Sequence, residues 1–148
     1  MTDDWLAGFI DGEGSIMLGK KFCHGKWFYL LRVDIQNCHF ETLQTIKINY
    51  GGKLHAAFRN NPRAKDAWCL SWGMREAVPL LARLSGKLIT KKEQARVALE
   101  FAELWYNTKP PKKKRGVNQA LPDYSPFEAL RLQMGLLNHR GRYAPDEP

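Results

Sequence analysis

The chain has 148 residues, and its 44% hydrophobic and 11% aromatic content fits a globular domain with a real core and excludes a disordered chain. Its 23 Lys and Arg outnumber 15 Asp and Glu, giving +8, which leaves two readings: a polyanion-binding protein or a merely basic soluble one. Three scattered cysteines (Cys23, Cys38, Cys69), no apolar run near the roughly 20 residues of a membrane span and no secretory leader lead us to expect a soluble protein of a reducing intracellular compartment.

Thr2 is placed to cap a first helix, with Asp3 and Asp4 in the opening turn, where carboxylates favour the positive end of the dipole. Leu6, Phe9 and Ile10 share one side at helical spacing, which is a core face. Gly8 and Gly12 share another. Glycine costs a helix about 1 kcal/mol relative to alanine, so close approach of a second helix is the expected reason for the pair. The helix ends at Gly12-Glu13-Gly14, and its last turn carries Asp11 and Glu13 without Lys or Arg. That end of a helix favours cations, and a local rule broken without visible compensation often marks a functional site. Carboxylate and free backbone carbonyl are hard oxygen ligands suited to Mg²⁺ or Ca²⁺. The competing reading is a solvated acidic turn whose glycines supply left-handed geometry. An EF-hand is excluded, because its later ligands are missing.

Residues 16–21 read as a strand with Ile16 and Leu18 on one face and Met17, Gly19 and Lys21 on the other. After a turn at 23–26 comes a longer strand, 27–36. Its odd positions (Trp27, Tyr29, Leu31, Val33, Ile35) are apolar or aromatic, and its even positions include Arg32, Asp34 and Gln36. Asn37 or Cys38 precedes a helix marked by Phe40, Leu43, Ile46 and Tyr50 and stopped by Gly51-Gly52. A strand over 53–59 carries His55 and Arg59 on one face, a basic loop spans 60–65, and a strand over 67–73 holds Trp68, Leu70 and Trp72, read as core. Ala77, Val78, Leu81 and Leu84 trace a helix over 74–84, in which Pro79 marks either a start or a kink. Thr90-Lys-Lys-Glu93 reads as a capping box for a helix over 91–106 with Ala95, Leu99, Ala102 and Trp105 on its buried face. Residues 109–123 form a basic, Pro/Lys-rich linker; its run from Lys112 to Arg115 is a weak nuclear-signal motif or phosphate-binding arm. Ser125-Pro-Phe-Glu128 reads as a second capping box, opening a helix to about Asn138 before a basic tail. Thus 1–108 is a core, 109–123 a linker and 124–148 a C-terminal helix and tail.

The stretch Leu6-Ala-Gly-Phe-Ile-Asp-Gly-Glu-Gly14 resembles the signature of the LAGLIDADG homing endonucleases, with seven of nine positions holding the signature residue or a close substitute. The order helix, two strands, helix, two strands, two helices also matches that family over about residues 1–106. The fold implied is α+β, with a four-stranded antiparallel sheet curved into a saddle and helices on one face. No internal repeat is present, so the resemblance is to the single-motif type, which acts as a homodimer whose signature helices pack in parallel through Trp5, Gly8 and Gly12. By position in the motif, Glu13 is the acid that binds catalytic cations, with the Gly12 carbonyl as a neighbouring ligand. Mg²⁺ is the implied metal, Mn²⁺ a substitute, and Ca²⁺ is expected to bind without supporting cleavage. Asn37 falls where the family places a polar residue holding water near the scissile phosphate. Lys91 matches the lysine at the start of the penultimate helix that faces the active site.

On that resemblance, Lys21, Arg32, Asp34, Gln36, His55 and Arg59 would read major-groove edges of double-stranded DNA, Arg on guanine, Gln on adenine and Asp on cytosine. Arg63 and Lys65 would meet phosphates. The expected activity is a divalent-metal-dependent double-strand break at a long pseudo-palindromic site, leaving a 3′-hydroxyl and a 5′-phosphate. Two alternatives stand beside it. One is an intron maturase or other non-cleaving nucleic-acid-binding protein on the same fold, with intron RNA as partner. The other is an unrelated RNA-binding domain, for which no stacking motif is present.

Overall fold

The computed structural model describes residues 1–57, 66–108 and 123–139. Among them run α1 (Asp3–Glu13), β1 (Gly14–Cys23), β2 (Lys26–Asn37), α2 (Phe40–Tyr50), β3 (Lys53–Ala56), β4 (Trp68–Gly73), α3 (Met74–Leu84), α4 (Lys92–Asn107) and α5 (Ser125–Asn138). This is an α+β fold with one four-stranded antiparallel sheet in the order β1-β2-β4-β3. The linker over 109–122 and the tail from Arg140 lie outside the described residues. No helix among them is long and apolar enough to cross a membrane.

Period two sorts the sheet. Ile16, Leu18, Leu31, Val33, Ile35, Leu70 and Trp72 face the helices and are buried. Register keeps them together: Ile16 lies opposite Val33, Val33 opposite Trp72, and Ile35 opposite Leu70. Leu6, Ala7 and Ile10 of α1 enter the same core. Glycine is required at one turn. Gly52 sits at φ 94°, and an added Cβ would come within 2.9 Å of the Trp72 indole nitrogen, which donates to the Tyr50 carbonyl at 3.0 Å.

Three expectations narrow or change. Of the two readings of Pro79, a helix start is excluded, because α3 runs five residues before it and five after. Neither capping box forms. At α4 the N-cap is Lys91, without a side-chain cap bond, and Glu93 pairs with Arg96 at 3.0 Å. At α5 Asp123 accepts from the Ser125 amide at 2.9 Å, while Glu128 turns to the sheet. There it accepts from the Tyr29 hydroxyl (2.9 Å) and pairs with Lys20 (3.2 Å) and Arg131 (2.7 Å). Arg131 above all, with Tyr29 and Lys20, brings its carboxyl down to about 2. A depressed carboxylate contributes stability at neutral pH that is lost as pH falls from 4.5 towards 2. Finally, the buried stripe of α4 is shifted from the one expected: Gln94, Ala95, Val97, Ala98, Phe101 and Ala102 are buried, and Leu99 and Trp105 only partly so. The cause is α5, whose Phe127 packs on Phe101 and Trp105 and whose Leu130 and Met134 are buried in the same core.

Candidate active site at the end of the first helix

The first helix forms as its sequence dictates. Thr2 Oγ1 accepts from the Trp5 amide at 3.3 Å, and the first-turn acids reach α3 and its following turn, Asp3 to Arg83 (2.7 Å) and Asp4 to Lys87 (2.6 Å). Leu6, Ala7 and Ile10 point inward. The opposite side stays open. Trp5, 42% exposed, stacks on Phe9 with ring centroids 5.0 Å apart, and a Cβ added at Gly8 or Gly12 would meet nothing within 4 Å. Nothing among the described residues therefore requires glycine at those two positions.

At the C-terminus of α1, Gly14 turns the chain into β1, and an added Cβ there would come within 2.8 Å of the Ile10 carbonyl. Glu13 is exposed at this corner. Asp11 is not. Its carboxylate accepts from the Ile89 amide (2.7 Å) and the Lys91 amide (2.9 Å), taking up backbone donors at the entry to α4. In return the Lys91 ammonium donates to the Asp11 carbonyl. The cation missing from the last turn of α1 thus arrives from eighty residues away. Burial pushes the Lys91 amine below its ordinary value, against the opposing pull of Asp11 and Glu13. From the sequence Asp11 is legible only as an acid of the last turn, with no role of its own. Its signal was present, an acid at a helix end that disfavours acids, but its partners are remote in sequence.

Asn37 lies on the strand that runs beside this corner. Gly14 pairs with Ile35, and β2 continues for Gln36 and Asn37. The Asn37 side chain accepts from the His39 amide at 2.8 Å, so it holds the turn into α2, while His39 occupies the N-cap. The side chains of Glu13 and Lys91 are brought together here, and Asn37 uses its Oδ1 on a local turn.

The donors fit a hard divalent cation only in part. Glu13 is an uncommitted carboxylate beside the last carbonyls of α1, the chemistry Mg²⁺ prefers. Among the described residues, however, no group of three or more His, Cys, Asp or Glu could hold a metal ion.

The open face of the sheet carries Lys21, Arg32, Gln36 and His55, all exposed. Gln36 and His55 both lie opposite Cys69 of β4 and so form one row across three strands. Asp34 differs. It lies on this face but is buried, and Arg32 Nε bonds its Oδ2 at 2.9 Å. It is not available to accept from a cytosine edge. Phe28 and Leu30 share the face and are 45% and 37% exposed, so it is less polar than its arginine and glutamine suggested. Arg59, Arg63 and Lys65 lie outside the described residues.

By sequence, no protein-family model and no curated protein matches the chain. By structure, it is similar to the homing endonuclease I-CvuI in complex with the I-CreI target, with TM-score 0.71 and 21% identity over 95% of this chain and 84% of that one. It is also similar to an archaeal intron-encoded homing endonuclease complexed with DNA (TM-score 0.63, 17% identity, 92% and 96% covered). Against the LAGLIDADG meganuclease I-CpaMI bound to uncleaved DNA the TM-score is 0.62 at 16% identity, over 93% of this chain and 50% of that one.

Proposed function

From a chain that has the fold of the LAGLIDADG homing endonucleases, we propose a site-specific DNA endonuclease that works as a homodimer with divalent cations. The observation that carries this reading is the corner of α1: an exposed Glu13 beside Lys91, at the end of a helix whose other face is bare at Gly8 and Gly12. Two such helices packed through Trp5, Gly8 and Gly12 put two Glu13 side chains at one site and give the protein two-fold symmetry. A pseudo-palindromic double-stranded target follows from that symmetry.

Glu13 and the Gly12 carbonyl would hold the cation, Mg²⁺ or Mn²⁺ for turnover. When bound, it supplies polarisation of the scissile phosphate and acidification of a water. Lys91, half-buried and already facing the acid, presents positive charge where the transition state gathers negative charge. Asp11 fixes that lysine by binding the Lys91 amide and Nζ through its own side chain and carbonyl. Lys21, Arg32, Gln36 and His55 face the DNA across the open side of the sheet, and the cationic side chains of Arg59, Arg63 and Lys65, outside the described residues, would meet its phosphates.

Two measurements test the partners. Log affinity for duplex DNA is expected to fall linearly with log salt, by about 0.9 per phosphate neutralised; an affinity flat between low and moderate salt excludes this reading. Gly8→Leu is expected to leave a folded monomer by sedimentation, with cleavage lost. An unchanged dimer places the interface elsewhere on the chain. A wild type that binds one site tightly and never cuts it in Mg²⁺ or Mn²⁺ is instead a non-cleaving binding protein.

A further inference from the structure

The geometry points to Arg32 as a guanine-selecting residue and to Asp34 as a positioning residue that acts through it. This rests on the proposal that the open face of the sheet meets DNA. Both residues stand on β2, the central long strand, two apart and therefore on the same face. Arg32 Nε donates to Asp34 Oδ2 at 2.9 Å, with the arginine side chain 51% exposed and the aspartate side chain 7% exposed. The carboxylate is thus beneath the guanidinium, out of reach of a base edge. Its other oxygen, Oδ1, is buried without a hydrogen-bond partner among the described residues, so Arg32 offsets a buried charge.

That arrangement decides which atoms are left for a ligand. With Nε used on Asp34, the terminal nitrogens of the guanidinium remain as paired donors in a fixed plane. Guanine presents O6 and N7 as paired acceptors in the major groove, and a bidentate arginine is the commonest specific contact made to it. Neighbours leave room for the approach. Across β4 the partner of Arg32 is Gly73, where an added Cβ would meet nothing within 4 Å. Ser15 and Ser71, both short side chains, flank Asp34 across the two neighbouring strands, and of the pair it is the Arg32 side chain that stays open, at 51% exposed. An arginine held in its reading posture before binding loses less freedom on contact, which sharpens discrimination at that one base pair.

Selection of binding sites from a pool of duplexes with randomised half-sites tests this with the full chain. The wild type is expected to select a guanine at one position in each half-site. Arg32→Ala should erase the preference at that position and leave the others. Asp34→Ala should reduce the same preference, by about tenfold in the affinity ratio of guanine to adenine there. Where Asp34→Ala fails to fold by circular dichroism, Asp34→Asn, which keeps the shape without the charge, carries the same comparison. The assignment is overturned if Arg32→Ala leaves the whole preference profile unchanged. It is equally overturned if the Asp34 variants alter a different position from Arg32→Ala, since Asp34 would then read a base itself. A wild type that selects no site from the pool overturns the DNA reading, not the pairing of these two residues.

Discussion

Glu13→Gln is expected to stop cleavage, by about a thousandfold or more, while DNA binding persists and the fold is undisturbed. The substitution removes one charge and keeps nearly the same shape. Glu13 is exposed, so the stability change should stay within about 0.5 kcal/mol, the range of ordinary surface substitutions. A carboxylate at the negative end of a helix, with no basic neighbour in sequence, is placed to strain the metal-free protein. The structure supplies the neighbour. Lys91 faces Glu13 closely enough for the acid to favour the charged amine, so part of the anticipated strain is offset within each chain. The readout besides activity is melting temperature with and without Mg²⁺. Added Mg²⁺ should raise it for the wild type and little for the variant, because only the wild type keeps the carboxylate ligand. A Glu13→Gln protein that still cuts, or that melts far below wild type, makes Glu13 a structural residue.

What could be read from the sequence divides along a physical line. Features set by near neighbours were legible: the Thr2 cap, the alternating faces of β2, the stop at Gly51-Gly52 and the span of α3 are all local consequences of propensity, period and turn chemistry. Features set by partners far along the chain were not. Asp11 and Glu13 looked alike, two acids at one helix end, yet one caps the entry to α4 and the other stays open. Asp34 looked like its exposed neighbours on β2, and only the pairing of Arg32 with it shows that it is buried. The Thr90 and Ser125 motifs had the right residues at the right spacing for capping boxes, but Glu128 finds stronger partners in Tyr29, Lys20 and Arg131. A charge-assisted tertiary contact outweighs a local cap bond worth about 1 kcal/mol.

The second large effect is expected at Lys91, and its sign separates catalysis from structure. Burial disfavours the charged amine, so its pKa lies below the ordinary 10.5. A lysine lowered in this way is a net cost to the folded state at any pH where it is protonated in both states. That cost fades as pH rises from the lowered value towards 10.5, where the unfolded chain also loses the proton. Lys91→Met keeps the aliphatic stem and removes the charge. At neutral pH its melting temperature should equal or exceed that of the wild type, and any advantage should shrink as pH is raised through the window. Cleavage should fall by about a hundred- to a thousandfold with target affinity retained, the loss that follows removal of one electrostatic donor to a transition state. A residue that weakens the fold while serving the chemistry is the usual trade between stability and activity. The Lys91 ammonium also donates to the Asp11 carbonyl, and if that bond were its purpose, Lys91→Met would melt below the wild type and cut normally. Equal losses in affinity and cleavage would make Lys91 an ordinary phosphate contact. Asp11→Ala supplies the control. It leaves the amides of Ile89 and Lys91 without their acceptor, so it should lower stability by about 1–3 kcal/mol, which Lys91→Met should not.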